Sequence, residues 1–113
     1  MAITETPGYI YLLQNQTSNT TTDGIRLNFG TNRASLMIWG TWDGASVTIQ
    51  TRSIPDTNDT PVWITVRDMT NTIFVFDEDN QITMRDFVYN QYVRAVVVNA
   101  GASTDLNCTI QVV

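Results

Sequence analysis

The chain contains no histidine and no lysine, a single cysteine, and no apolar run near the roughly 18 residues that span a bilayer as a helix. The missing histidine and lysine exclude Ser-His-Asp and Cys-His catalytic devices, Schiff-base chemistry, the phosphate-loop lysine and histidine-based zinc or iron sites. One cysteine excludes an intrachain disulfide and a thiolate metal cluster. Cys108 lies in LNCTIQVV, where it alternates with polar residues and reads as a small buried hydrophobe; no histidine is present to activate it as a nucleophile. Charge is also scarce, at 15% of residues. Six arginines stand against eleven acids for a net charge of -5, and Arg26, Arg33, Arg52, Arg67, Arg85 and Arg94 are scattered singly. A phosphate-binding surface needs clustered basic residues, so nucleic acid is not an expected partner. No charged-plus-apolar leader opens the chain, and neither a membrane partner nor a cofactor is expected. The Asn-x-Ser/Thr triplets at Asn15, Asn19, Asn58 and Asn107 carry little meaning in a chain so rich in asparagine and threonine.

What is present is a strand-and-turn composition. Threonine and asparagine carry the polar complement, and no window repeats apolar residues at helical spacing for three turns. Period-two alternation predicts strands near 8–14, 25–29, 34–41, 45–52, 62–68, 72–76, 81–88, 91–98 and 106–113, with turn chemistry every 8–12 residues. A chain of 113 residues is the size of one domain. The expected fold is therefore all-β: a single antiparallel β-sandwich of about eight to nine strands, jelly-roll-like, over residues 8–113. Residues 1–7, MAITETP, lack a core pattern and read as a flexible N-terminal arm. Polar loops are expected at 15–24, 53–61 and 99–105.

The stretch WGTWDGASVTIQTR, Trp39 to Arg52, centres on Asp43-Gly44 between two alternating runs and reads as a hairpin. Pairing Trp42 with Ala45 and Ile38 with Ile49 puts Ile38, Gly40, Trp42, Ala45, Val47 and Ile49 on one face, the core. Met37 and Trp39 then share the other face with Ser46, Thr48, Gln50 and Arg52, a mixed surface of interface type. A bulge at Gly40 would shift the phase and bury Trp39 instead. The candidate interface is thus Met37, Trp39, Gln50 and Arg52, with Thr4, Glu5 and Thr6 of the arm; no catalytic, cofactor or metal residues are assigned.

The acids sit mostly in turns. A carboxylate pair could hydrolyse a glycoside, and only Asp68 and Asp86 lie at strand ends, but the usual supporting residues are missing. Asp77-Glu78-Asp79-Asn80 could hold Ca²⁺, yet it lacks the spacing and glycine of a calcium loop and more simply forms a hairpin tip between TIFVF and QITM. Trp39, Trp42 and Trp63 could stack on a sugar ring.

MAITETPGYIYLLQNQT, then GASVTIQTRS and TPVWITVRD, and finally QYVRAVVVNAGASTDLNCTIQVV resemble the small all-β structural proteins with which tailed bacteriophages decorate or cement their capsids. The shared pattern is an N-terminal arm, a G-A-x-V-x-I-Q strand, a V-W-I-x-V strand, and a Y-V-R-A strand followed by a Gly-Ser-Thr turn and a last strand. The resemblance implies a non-enzymatic virion protein on the capsid surface that bridges major capsid subunits. It also implies a homo-oligomer, threefold ahead of twofold by analogy. A carbohydrate-binding module of a phage tail or fibre, with Trp39 or Trp63 on the sugar, is the alternative, and a small carboxylate hydrolase ranks third.

Overall fold

A computed structural model describes residues 9–26, 33–52, 62–68, 70–79, 83–88 and 92–112. Among them there is no helix. Eleven strands follow one another: β1 (Tyr9–Gln16), β2 (Thr20–Thr21), β3 (Ile25–Arg26), β4 (Arg33–Thr41), β5 (Ser46–Arg52), β6 (Ile64–Thr65), β7 (Arg67–Asp68), β8 (Val75–Phe76), β9 (Thr83–Val88), β10 (Tyr92–Val98) and β11 (Asp105–Val112). They form two antiparallel sheets. The first has the order β1-β11-β4-β9-β7; the second runs β2-β10-β5-β6, with β3 also on β10 and β8 also on β5. The pairs are nested. β1 meets β11, β2 and β3 meet β10, β4 meets β9, and β5 meets β6 and β8, as though one long hairpin had been folded over into two layers.

The all-β sandwich expected from the alternation is the observed architecture, but the pairing within it differs at three places. β4 and β5 do not form a ladder. Asp43 (φ 47°) and Gly44 (φ 86°) make the expected tight turn, closed by the Ala45 N–H donating to the Trp42 carbonyl at 2.9 Å. Beyond that bond the strands part: β4 pairs with β11 and β9 in the first sheet, β5 with β10, β6 and β8 in the second. Ile38 and Ile49 therefore face each other across the core instead of lying side by side. The reason is that alternation specifies a buried face without specifying which neighbour shares the sheet.

The run 62–68 divides in the same way. β6 lies in the second sheet and β7 in the first, and between them Val66 is buried, donating its N–H to Ile49 and accepting from Phe74. Lastly, the acidic run Asp77–Asp79 follows β8 and precedes β9, strands of different sheets, so it begins a crossing between layers and is not the tip of a laddered hairpin. Inside the expected loop 15–24, the two-residue β2 pairs with Val96 and Val97.

The core is the seam between the sheets. Leu13, Leu36, Ile38, Leu106, Cys108 and Ile110 line it from the first sheet, Val47, Ile49, Val93, Ala95 and Val97 from the second, with Trp42 and Phe74 filling the space between. On β5 and β10 buried and half-buried positions alternate without interruption until Val98. Trp42 is fully buried and its indole N–H has no acceptor, so its place depends on packing.

Gly40 explains how β4 lies so close to β11. Its φ is 140°, and a Cβ there would collide with the backbone carbonyl of Asp105. No bulge results: β4 and β11 stay in register from Thr41↔Asp105 to Ala34↔Val112. The shifts occur instead between β1 and β11, at Tyr11–Leu13 and Leu13–Gln16. Trp42→Ala is expected to lower unfolding free energy by about 3–5 kcal/mol, the range for large core truncations, measured by denaturant titration. Gly40→Ala is expected to destabilise as well, through backbone strain and not through lost burial, so its effect should not be relieved by any smaller neighbour on the core face.

Candidate functional site

One end of the sandwich is tied together by loop carboxylates and amides. Ser103 donates its N–H to Asp43 Oδ2 at 2.8 Å, and the Asp43 N–H donates to Asp79 Oδ1 at 3.1 Å. Buried Thr104 donates its hydroxyl to the Trp42 carbonyl at 2.9 Å and accepts the Gly101 N–H at 2.8 Å; the Ala100 N–H reaches Asn19 Oδ1 at 2.8 Å. Asp79 thus serves as a turn acceptor, and no group of three metal-ligating side chains occurs among the described residues. Asp68 has a similar occupation. Its Oδ1 accepts from the Thr70 N–H, the Thr70 hydroxyl and the Thr72 N–H at 2.7–2.9 Å, capping the loop that leads to Ile73. With one oxygen taking three donors of its own turn, this carboxylate holds the backbone of the loop. Asp86 lies on β9, level with Ser35 of β4, whereas Asp68 is level with Phe87.

Cys108 is fully buried, and burial pushes its thiol far above the usual range because the thiolate would be stranded in an apolar core. The expected outcome is a thiol that stays protonated through neutral pH and reacts with an aromatic disulfide reagent only at the rate of global unfolding. Rapid labelling of the native chain would show that the β11 face opens locally.

The four candidate interface residues in the described chain are all half-buried and outward-facing, but they fall on opposite sides of the molecule. Met37 and Trp39 are on the outer face of the first sheet. There, Tyr11, Ser35, Met37, Trp39, Thr109 and Gln111 line a shallow groove of about 210 Å³. The row across the strands is set by register: Tyr11 is level with Thr109, which is level with Met37, and Trp39 stands opposite Asn107. Gln50 and Arg52 are on the outer face of the second sheet. The separation follows directly from the parting of β4 and β5 after the Asp43-Gly44 turn. Thr4, Glu5 and Thr6, with the rest of the expected arm, lie outside the described residues.

On the second sheet the sequence reading missed a constellation. The Arg52 guanidinium carbon lies 4.4 Å from the Tyr92 ring centroid and 5.0 Å from that of Trp63; the Arg94 guanidinium carbon lies 4.3 Å from the same Trp63 ring. Arg94 Nε donates to Gln50 Oε1 at 2.7 Å. Register explains the meeting, since Tyr92 pairs with Arg52 and Arg94 with Gln50. Gly24 completes it: a Cβ there would sit 2.8 Å from Trp63 Cη2, so only glycine lets the indole lie down on the strand. Such stacked cation–aromatic contacts are worth on the order of 1 kcal/mol each. Arg52 Nε and one terminal nitrogen are nonetheless buried with no acceptor. No spacing in the sequence announces this group, because its members come from β5, β10 and the residue before β6.

A second feature is the edge made by residues 62–76. Val62 is 74% exposed and Ile64 57%, and Ile73 and Val75 are exposed as well, which puts four of the six exposed large apolar side chains among the described residues into one segment. With Trp42 in the core and both guanidinium groups over Trp63, Trp39 is the tryptophan that retains an outward groove for a flat ligand.

These features define a two-sheet antiparallel sandwich with a groove on one outer face and a cation–aromatic group on the other. No family model matches the chain, and no curated protein or solved structure matches it.

Proposed function

We propose that the protein is a non-enzymatic assembly module that stabilises a virion shell by bridging major capsid subunits, as a cement or decoration protein on the capsid surface. The carrying observation is the two-sided disposition of its contact surfaces: the Tyr11–Met37–Trp39 groove faces away from the Arg52–Trp63–Arg94 group, so one copy can touch two neighbours at once. That geometry suits bridging, and many modest contacts repeated over a lattice add to strong attachment. The nested strand order supports reading the sandwich as jelly-roll-like. Engagement of Asp68 and Asp79 by turn amides, with the thiol of Cys108 buried, favours a role without catalysis.

The groove also favours one alternative. An aromatic ring flanked by Ser35, Thr109 and Gln111 offers a platform for a pyranose, which keeps a carbohydrate-binding module of a phage tail or fibre as the second reading.

The Trp39→Ala variant separates the two. It is expected to retain its unfolding free energy within about 2 kcal/mol, because Trp39 stands outside the core. Co-sedimentation with tailed-phage capsids that lack their decoration subunits should fall markedly, since aromatic anchors dominate interface energies. Binding to a glycan array that is lost with the same substitution, with no binding to capsids, would select the carbohydrate reading. A large loss of stability would return Trp39 to a structural role.

A further inference from the structure

Two guanidinium groups lie against one indole ring on the second sheet, and no carboxylate among the described residues pairs with either. Arg52 has the Tyr92 and Trp63 rings on it and two of its nitrogens buried, while Arg94 spends only its Nε, on Gln50, so the remaining terminal nitrogen of Arg52 and both of Arg94 are left for a ligand. Neither arginine makes any further polar contact within the described chain. Asp23, beside the Gly24 that carries the indole, is exposed and forms no ion pair with them. Like charges held together on a low-dielectric surface without a counter-ion are a receptor for an anion, and the planar guanidinium fork suits a carboxylate.

The chain itself carries the complement. Asp77 and Glu78 are exposed, and neither has a hydrogen bond or ion pair within the described residues, whereas Asp79 beside them is taken by the Asp43 N–H. The two charged groups stand toward opposite ends of β5. Arg52 ends that strand, and Val75 and Phe76 pair with Thr48 and Val47, which brings Asp77 level with Ser46 at the strand's beginning. Between the two ends the outer face is mixed, with valines beside small polar residues: Val75 and Val96 flank Thr48, and Val98, next to Ser46, is exposed.

We propose that this face binds a second copy of the chain in an antiparallel twofold arrangement, in which the Arg52–Trp63–Arg94 group receives the Asp77 and Glu78 carboxylates of the other copy. A twofold axis crossing the strands at the level of Thr48 lays the Arg52 end of each β5 over the Ser46 end of its mate. Each charged group then meets its opposite, and the Val75–Thr48–Val96 row meets itself. The contact is isologous, so it closes after two copies and adds no filament. Its biological use rests on the two-sided reading given above, with the sister copy as the neighbour met through the second sheet: the pair presents two Trp39 grooves outward, one for each shell subunit it joins.

The test uses the purified full chain alone, by sedimentation velocity over a range of concentrations. The wild type is expected to form a dimer that weakens as salt rises. The Asp77→Arg/Glu78→Arg variant, altered only on an exposed turn, should weaken dimerisation by about tenfold or more, and so should Arg94→Glu, because like charges then face each other. Mixed in equal amounts, the two variants should restore a dimer, since each then offers the partner for the other's altered group. A wild type that stays monomeric, a doubly substituted variant that dimerises like the wild type, or two folded variants that fail to pair on mixing would each overturn the proposal. Should Arg94→Glu fail to fold by circular dichroism, the exposed-turn variant decides alone. Because no capsid enters the assay, a negative result leaves shell attachment standing, and loss of shell attachment leaves the dimer standing.

Discussion

Everything in this molecule depends on the seam between two sheets. A 113-residue chain with no intrachain disulfide, and with no helix among its described residues, has one means of stabilisation on the needed scale, which is removal of apolar surface from water between two twisted layers. Trp42 and Ala45, both fully buried at the turn where β4 leaves for one layer and β5 for the other, mark the hinge of that seam. Because the chain changes layers there, and again at Val66, each layer is built from strands distant in sequence. Native pairings such as β1 with β11 must then close nearly the whole chain, so folding is slow relative to a chain of local hairpins and strongly cooperative.

The loops at the Asp43 end are consequences of the same constraint. A turn that delivers its flanking strands to different sheets cannot satisfy its amides from a ladder between those strands. Side chains take over: Asp43 accepts from Ser103, Asp79 from Asp43, Thr104 bonds to the Trp42 carbonyl, and Asn19 caps Ala100. Asp43, Asp68, Asp79 and Asn19, which look available for ions or catalysis when read in isolation, are thereby assigned to holding backbone in place. What remains unassigned is the exposed Asp77–Glu78 pair and, on the outer faces and among the exposed residues of 62–68 and 70–76, side chains that are aromatic, apolar or cationic. Those are the residue types that make contacts between proteins.

On the proposed reading, the arrangement of those faces connects fold to function. Splitting the Trp39–Arg52 stretch between two layers converts what looks like one mixed surface into two surfaces pointing apart. A module with two such faces can join partners that lie on either side of it. Trp63 and Gly24 show how local detail sharpens this, since a side chain at position 24 would lift the indole and dismantle the stack that holds both arginines.

By itself the sequence determined the class of fold, the identity of most core residues and the exclusion of histidine, lysine and disulfide chemistry. Period-two alternation carries that information: Ile38, Trp42, Ala45, Val47 and Ile49 are buried just as their phase requires, and Trp39, one step out of phase, faces outward. Alternation says nothing about partners, however. A residue that must be buried is equally satisfied by a neighbour in its own sheet or by one across the seam, so the choice between a ladder and a crossing at Asp43-Gly44 is made only when the whole core closes. The tertiary structure alone therefore decided that Gln50 and Arg52 leave the company of Met37 and Trp39. It also brought Arg52, Trp63, Tyr92 and Arg94 together from three parts of the chain, because long-range register, and no local spacing, sets which side chains share a face.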